Sequence, residues 1–427
     1  VHFRIQGPTR LSGRFRPAGN KNAALPILAG TLLASDPVTL ENVPEIRDVM
    51  TMIQLLESVG ASAEWLGHGR LVIDPSNLEG GSLDTQLSSQ IRASILLAGP
   101  LLARFGEVVL PPPGGDVIGR RRLDTHFLAL GQLGAEVEAS DRFELRTAGL
   151  KGADLFLDEP SVTGTENAIL AAVTAEGETL IRNAACEPHV QDLCNFLCGL
   201  GAEIEGIGTS RLSIRGVDGL SGGTFRIQPD HIEIGSLIGL AAITGSDLHI
   251  EEVNLDHFDP IRLGFERLGI HCVPKDGGIH VGPDQQLEIR PDIGSQIPSI
   301  GDGPWPAFPA DLTSIALVVA TQCRGTVLIH EKMFESRMYF ADKVIGMGAS
   351  IVVCDPHRAV VVGPSRLRGG IVESPDIRAG MALLIATLVA HGESRIFNIG
   401  QIERGYERID ERLVALGASI ERVESRD

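Results

Sequence analysis

The sequence predicts an α/β protein of two domains, each assembled from three copies of a helix–strand–helix–strand–strand unit. Three observations carry this. A six-residue phrase recurs at 56–61, 130–135, 197–202, 265–270, 344–349 and 413–418, as in L-E-S-V-G-A and L-V-A-L-G-A. Its glycines are separated by steps of 74, 67, 68, 79 and 69 residues, too long for a common solenoid unit and long enough for a small α/β subdomain. Upstream of each copy stands an apolar, Ala/Leu/Ile-rich run that ends in a short strand.

The six apolar runs are 20–34, 92–103, 165–175, 231–243, 311–320 and 376–390. They carry few charges after the first turn, so each is predicted to be a helix buried on all sides. The strands after them are P-V-T-L, E-V-V-L, E-T-L-I, D-L-H-I, T-V-L-I and S-R-I-F. A polar loop and an amphipathic helix follow, and the repeat glycine is the expected C-cap of that helix. Two alternating strands then complete the unit, as in A-S-A-E-W-L-G-H-G-R-L-V-I. Helices buried in every unit imply sheets that face outward around them. Residues 21–228 are expected to form the first domain, and 1–20 with 229–427 the second. The strand at 2–6 is placed to complete the last unit of the second domain. Long Pro/Gly-rich loops at 111–115 and 303–309 are candidates for function.

Composition narrows the partners. The chain has 427 residues, 43% hydrophobic and 22% charged, with a formal net charge of −18. So acidic a surface argues against general binding to nucleic acid or anionic membranes, and leaves room for a local basic pocket. Six cysteines form no C-x-x-C pair and suggest neither zinc nor a disulfide framework. The opening V-H-F-R-I-Q-G-P has no basic segment leading into an apolar core, and the longest apolar runs are near ten residues. A soluble cytoplasmic protein is expected. Lacking a metal-ligand cluster, a P-loop or a dinucleotide fingerprint, the sequence implies no cofactor and no metal.

Matching positions of the repeat carry different charges. The starts of the buried helices hold Lys21 and Asn22, Arg92, Thr165 with Glu166, Asp230 with His231, Asp311, and Asp376 with Arg378. Free N–H groups and the positive dipole end favour anions at such places. Loops after the strands hold Arg47, then Asp116 with Arg120, Arg121 and Arg122, then Glu187, His257, Arg337 and Arg404. Gathered across a cleft, these residues would bind a small polyanion. Taken singly, each has a plainer reading. Asp311 reads equally as a helix N-cap, Lys21 as a solvated lysine, and 120–122 as a solvated run. Asp124 and His126 would cap and decorate the next helix, and Arg404 and Arg408 would be surface charges.

Six long stretches resemble one family over nearly the whole chain. They are G-N-K-N-A-A-L-P-I-L-A (19–29), Q-I-R-A-S-I-L-L-A-G-P-L-L-A-R-F-G (90–106), P-G-G-D-V-I-G-R-R-R-L-D-T-H (113–126), P-A-F-P-A-D (306–311), F-E-S-R-M (334–338) and I-E-R-G-Y-E-R-I-D-E-R-L (402–413). The chain resembles the enolpyruvyl transferases, and within them the branch acting on UDP-amino sugars. The resemblance implies two domains, each an inside-out α/β barrel of three units. It implies transfer of the enolpyruvyl group of phosphoenolpyruvate to the 3′-hydroxyl of UDP-N-acetylglucosamine with release of phosphate. It also implies roles. Lys21, Arg121 and Arg404 would hold the phosphate, and Arg337 and Arg378 the carboxylate, with Arg92 beside them. Asp311 would accept the hydroxyl proton. Asn22, Arg92, Arg122, Leu123, Asp124, Thr125, His126, Ser161, Val162, Asp311 and Met333 would contact the UDP-sugar.

Five positions depart from the family pattern. Asp116 stands where most members carry the cysteine that acts as general acid. A carboxyl fills that role if its site keeps it protonated, with burial raising its pKa and neighbouring arginines lowering it. Resistance to fosfomycin, which alkylates the cysteine, is therefore expected. Glu159, Thr163, His189 and His231 replace a Lys, a Gly, an acidic residue and an Arg, all on the nucleotide-sugar side. They leave open a different nucleotide or sugar acceptor, or a nucleotide-sugar-binding regulator without catalysis. Shikimate-type transfer is disfavoured by the K-N-A-A-L-P and R-L-D-T-H stretches, and RNA cyclisation by the acidic charge.

Overall fold

Both units of this protein are built from the repeat, and each holds three four-stranded sheets. The structure, a computed structural model, describes residues 1–116 and 118–424. The first unit comprises Val1–Ala18, Ile118–Arg120 and the chain from Pro229 onward; the second comprises Gly19–Asp116 and Arg121–Gln228. Two segments differ from the sequence expectation of 21–228 against 1–20 and 229–427. Asn20 goes with the second unit because it caps the Lys21–Gly30 helix and its amide donates to the Gln228 carbonyl at 2.8 Å. Ile118–Arg120 go with the first, where the Arg120 amide donates to Glu335 Oε1 (2.9 Å) and the Ser336 amide to the Ile118 carbonyl (3.2 Å).

All six sheets share one plan. A leading strand runs parallel to the strand after the buried helix, and the two strands of the hairpin continue the sheet antiparallel. Two leading strands are exchanged. Ser12–Phe15 precedes the Lys21–Gly30 helix but pairs with Asp247–Ile250, while Gly223–Arg226 precedes the His231–Thr244 helix but pairs with Val38–Glu41. The last sheet borrows its inner hairpin strand from His2–Gly7, which lies between Gly392–Phe397 and Ile420–Val423.

Helices fill the middle of each unit. The three buried helices of a unit pack on one another, and the sheets present alternating residues inward, as with Leu212 and Ile214 of Arg211–Arg215. In His231–Thr244 every residue through Ile243 is buried, which its Ile/Leu/Ala/Gly sequence permits. Gly235 and Gly239 let the Thr313–Ala320 helix approach. A Cβ there would stand 2.5 Å from Leu312 Cδ1 and 2.8 Å from Val319 Cγ2. The repeat glycines do different work. Gly60, Gly134, Gly201, Gly269, Gly348 and Gly417 all lie at φ between 78° and 111°, where a side chain would be strained, and each ends an amphipathic helix.

The six buried helices start in two ways. Four carry side-chain caps, from Asn20, Ser161, Asp230 and Asp376. The other two open with a 3-10 turn, at Arg92–Leu97 and Ala310–Leu312. Asp311 therefore sits inside a turn and is not the N-cap that its position after Pro-Ala suggested. Among the described residues, no helix is long and apolar enough to cross a membrane.

Candidate active site

In the first unit the helix starts gather charge around Asp311. Its Oδ1 accepts from Arg337 Nη2 at 3.0 Å, and its Oδ2 accepts from Arg378 Nε at 3.0 Å and lies 2.9 Å from Arg378 Nη2. Both arginines are buried, whereas the Asp311 side chain is 25% exposed. Burial opposes the charge of Arg378, yet Asp311, Tyr406 and Asp230 outweigh it and hold its pKa above the ordinary value. Arg337 is likewise raised, with Asp311 and Glu331 overcoming its burial. The Tyr406 ring lies 5.3 Å beneath the Arg378 guanidinium, and the Phe334 ring 5.0 Å from that of Arg337. The Trp305 ring stands nearby, edge-on to His231 and to His257 and 6.0 Å from each. Burial, then His257 and Arg378, push the His231 pKa down to about 3, so its imidazole is neutral at neutral pH. Arg404 ends the Ile399–Arg404 turn and donates to Gln401 Oε1 at 3.0 Å, and Met333 is half-buried with its amide 3.4 Å from Asp302 Oδ2.

The second unit holds the remaining cations. Lys21 opens its helix buried, with Nζ 2.7 Å from Asp48 Oδ2. Arg92 donates through Nη2 to the carbonyls of Arg121 (2.7 Å) and Arg122 (3.0 Å), so it holds the backbone that carries those two arginines. Burial, then Arg121, lower the Arg92 pKa to about 10. The 111–116 loop is tied back by the Gly114 amide on the Ser88 carbonyl, and Gly115 brings half-buried Asp116 beside Arg92. A Cβ on Gly115 would stand 2.9 Å from Arg92 Cβ. Arg122 reaches Asp124 Oδ2 (3.2 Å) and Asp158 Oδ2 (2.8 Å), while the Thr125 hydroxyl donates to Asp158 Oδ1 at 2.7 Å. Ser161 caps the Val162–Ala172 helix by accepting from the Gly164 amide. Asn22 and Leu123 are half-buried, and Leu123 packs against the hydrophobic core.

A family profile described as EPSP synthase (3-phosphoshikimate 1-carboxyvinyltransferase) matches residues 5–413. The UDP-N-acetylglucosamine 1-carboxyvinyltransferase of Bradyrhizobium diazoefficiens is 62% identical over 426 residues, covering 100% of this chain and 99% of that one. The protein of the same name from Treponema denticola is 54% identical, covering 98% of each chain. The chain belongs to the enolpyruvyl transferase family. Solved structures show the same fold. The enolpyruvyl transferase NikO from Streptomyces tendae superposes with a TM-score of 0.87 at 24% identity over 98% of each chain. EPSP synthase from Acinetobacter baumannii gives 0.76 at 18% identity over 99% of each chain.

In this enolpyruvyl transferase, two departures from the family pattern meet partners of their own. Thr163 stands where a glycine is usual, and its Oγ1 accepts from His126 Nε2 at 3.1 Å. Asn167 Nδ2 donates to His126 Nδ1 at 2.9 Å, which places the ring proton on Nε2 and engages both ring nitrogens. Glu159 stands where a lysine is usual and lies 4.0 Å from Arg122 Nη1. Residues that the sequence reading passed over include Asp48, the partner of Lys21, and the buried acids Glu331 and Asp302 behind Arg337. Asp48 follows the flagged Arg47 directly, a signal that was present in the chain. For Glu331 the only signal was an acid ending the apolar strand T-V-L-I-H-E.

Wholly buried His126 has its pKa pushed down to about 3, first by burial and then by Arg92 and Arg121. The unfolded chain takes up its proton near 6.5, so this stabilisation is complete above 6.5 and is lost as pH falls toward 3. His126→Asn is expected to flatten the acid side of the stability curve relative to the parent chain. Urea unfolding midpoints across that window would measure it, and parallel curves would refute it. Asp192, raised to about 7 by burial, slopes the other way in both proteins and cancels in the comparison.

Proposed function

We propose that the protein transfers the enolpyruvyl group of phosphoenolpyruvate to the 3′-hydroxyl of UDP-N-acetylglucosamine and releases phosphate. The observation that carries this reading is Asp311 held by two buried guanidinium groups. A carboxylate partly open to solvent and flanked by planar donors suits a substrate with its own carboxylate and a hydroxyl to deprotonate. Among the described residues, Nη1 of Arg337 makes no hydrogen bond, so a donor remains for an anion. The acceptor is supported by the two UDP-N-acetylglucosamine 1-carboxyvinyltransferases to which the chain is similar.

In this reading Arg337 and Arg378 hold the carboxylate of phosphoenolpyruvate, and Lys21, Arg121 and Arg404 hold its phosphate. Asp311 takes the proton of the 3′-hydroxyl as that oxygen bonds to C2. The C2–C3 π electrons take a proton from Asp116, giving a tetrahedral phospho-ketal. Loss of a C3 proton then restores the double bond as the C2–O bond to phosphate breaks. Proton transfers of this kind by placed side chains contribute about 10²–10⁴-fold each. Asn22, Arg122, Leu123, Asp124, Thr125, Ser161, Val162 and Met333 contact the UDP-sugar, while His126 spends both ring nitrogens on Thr163 and Asn167. Six free cysteines and the lack of a spanning helix among the described residues support a cytoplasmic setting.

Phosphate release from phosphoenolpyruvate by the purified protein, with and without UDP-N-acetylglucosamine, tests this. Release that requires the sugar nucleotide is expected. Absence of release with that acceptor, alongside release with another nucleotide sugar, would overturn the acceptor assignment.

A further inference from the structure

Beside Arg337 lies a second acid that the proposed reaction does not use. Glu331 follows the Gly325–His330 strand and is wholly buried. Its Oε1 accepts the Phe334 amide at 3.1 Å, closing a turn, and its Oε2 stands 3.7 Å from Arg337 Nε. The same turn is pinned elsewhere. Asp302, 1% exposed, accepts the Lys332 and Met333 amides. The Glu331 amide donates to the His357 carbonyl, and His357 Nδ1 donates to the Glu331 carbonyl, both at 2.8 Å. Arg337 thus emerges from a turn fixed at four points. Its guanidinium meets Glu331 at Nε and Asp311 at Nη2.

We propose that Glu331 is a positioning residue for substrate binding, holding the Arg337 guanidinium and the 331–337 turn in the geometry that receives a carboxylate. A buried acid beside a buried guanidinium is a weak source of stability, because desolvation offsets the attraction. It does fix direction. Burial raises the Glu331 pKa, Arg337 pulls it back and Asp302 raises it again, the net shift being upward. The groups facing Glu331 are Arg337, Asp302, Thr313 and the Phe334 amide, and a glutamine of the same shape still accepts that amide.

The inference rests on Arg337 holding the carboxylate of phosphoenolpyruvate, and the test separates the two ideas. Steady-state phosphate release would be measured for Arg337→Ala, Glu331→Met and Glu331→Gln, with thermal melts confirming folding. Glu331→Met fills the volume without accepting the Phe334 amide, and is expected to raise the KM for phosphoenolpyruvate by about tenfold. The KM for the UDP-sugar should move far less, because the Met333 amide keeps its own hold on Asp302. Glu331→Gln, neutral and able to accept, is expected to restore the parent KM. If Arg337→Ala leaves the KM for phosphoenolpyruvate unchanged, the carboxylate reading itself fails. If Arg337→Ala raises it and Glu331→Met does not, the positioning role alone is overturned. A rise in both KM values alike for Glu331→Met, with no rescue by Glu331→Gln, would also overturn it.

Discussion

Asp311→Asn is expected to lower kcat by about 10²–10⁴-fold, the usual contribution of a general base. The amide keeps the size of the side chain and one acceptor oxygen, but it cannot take the proton of the sugar hydroxyl. It also changes the ground state. In the parent protein the two Asp311 oxygens are divided between Arg337 and Arg378. An asparagine offers only one acceptor, so one buried guanidinium loses its partner, and the melting temperature should fall. The KM for phosphoenolpyruvate should fall or stay level, because its carboxylate no longer competes with Asp311 for the arginines. Rates of phosphate release at saturating substrates decide the matter. A kcat equal to that of the parent protein would remove Asp311 from the proton path and leave it as an anchor for two arginines.

The second large effect concerns Asp116. Asp116→Asn is expected to cost a comparable factor of about 10²–10⁴, since an amide has no proton to give to C3. Asp116→Cys should retain activity, because a thiol fills the same place in most of the family, and should acquire covalent labelling by fosfomycin that the parent lacks. Intact mass after exposure reads the labelling directly. Alkylation of the parent protein, or full activity in Asp116→Asn, would exclude Asp116 as the proton donor. The loop that carries it supplies the setting: Gly115 runs against Arg92, and Arg92 grips the carbonyls of Arg121 and Arg122. One residue thus borders both flanks of the segment, with its backbone and Cβ at Gly115 and its guanidinium at the two carbonyls.

Local periodicity made the repeat legible. The glycine at the end of each amphipathic helix is forced by backbone conformation, and an all-apolar run has nowhere to go but inside. For that reason the six buried helices and the strands after them fall within a few residues of their expected places. Pairings over long sequence separation were not legible. Nothing local in Ser12–Phe15 indicates that it joins Asp247–Ile250 rather than the unit it leads. The site divides in the same way. Asp311, Arg337 and Arg378 stood out as charges at the ends of apolar elements, and they do meet. Lys21 also stood out, but its buried partner Asp48 did not, because an acid in the first turn of an amphipathic helix is ordinary. Glu331 was hidden for a related reason. Its significance lies in complete burial, which a sequence does not report.

The exchanged strands bear on how the chain is made. During synthesis Gly19–Gln228 emerges with every strand of its three sheets present, so that unit can close as soon as Gly223–Arg226 reaches Val38–Glu41. The strands His2–Gly7 and Ser12–Phe15 are made earlier, yet their partners lie at Asp247–Ile250, Gly392–Phe397 and Ile420–Val423. They must wait, unpaired and carrying the core side chains Phe3, Ile5 and Phe15, while most of the chain is translated. Such a segment is a standing invitation to wrong pairing, and the natural client of a holding chaperone.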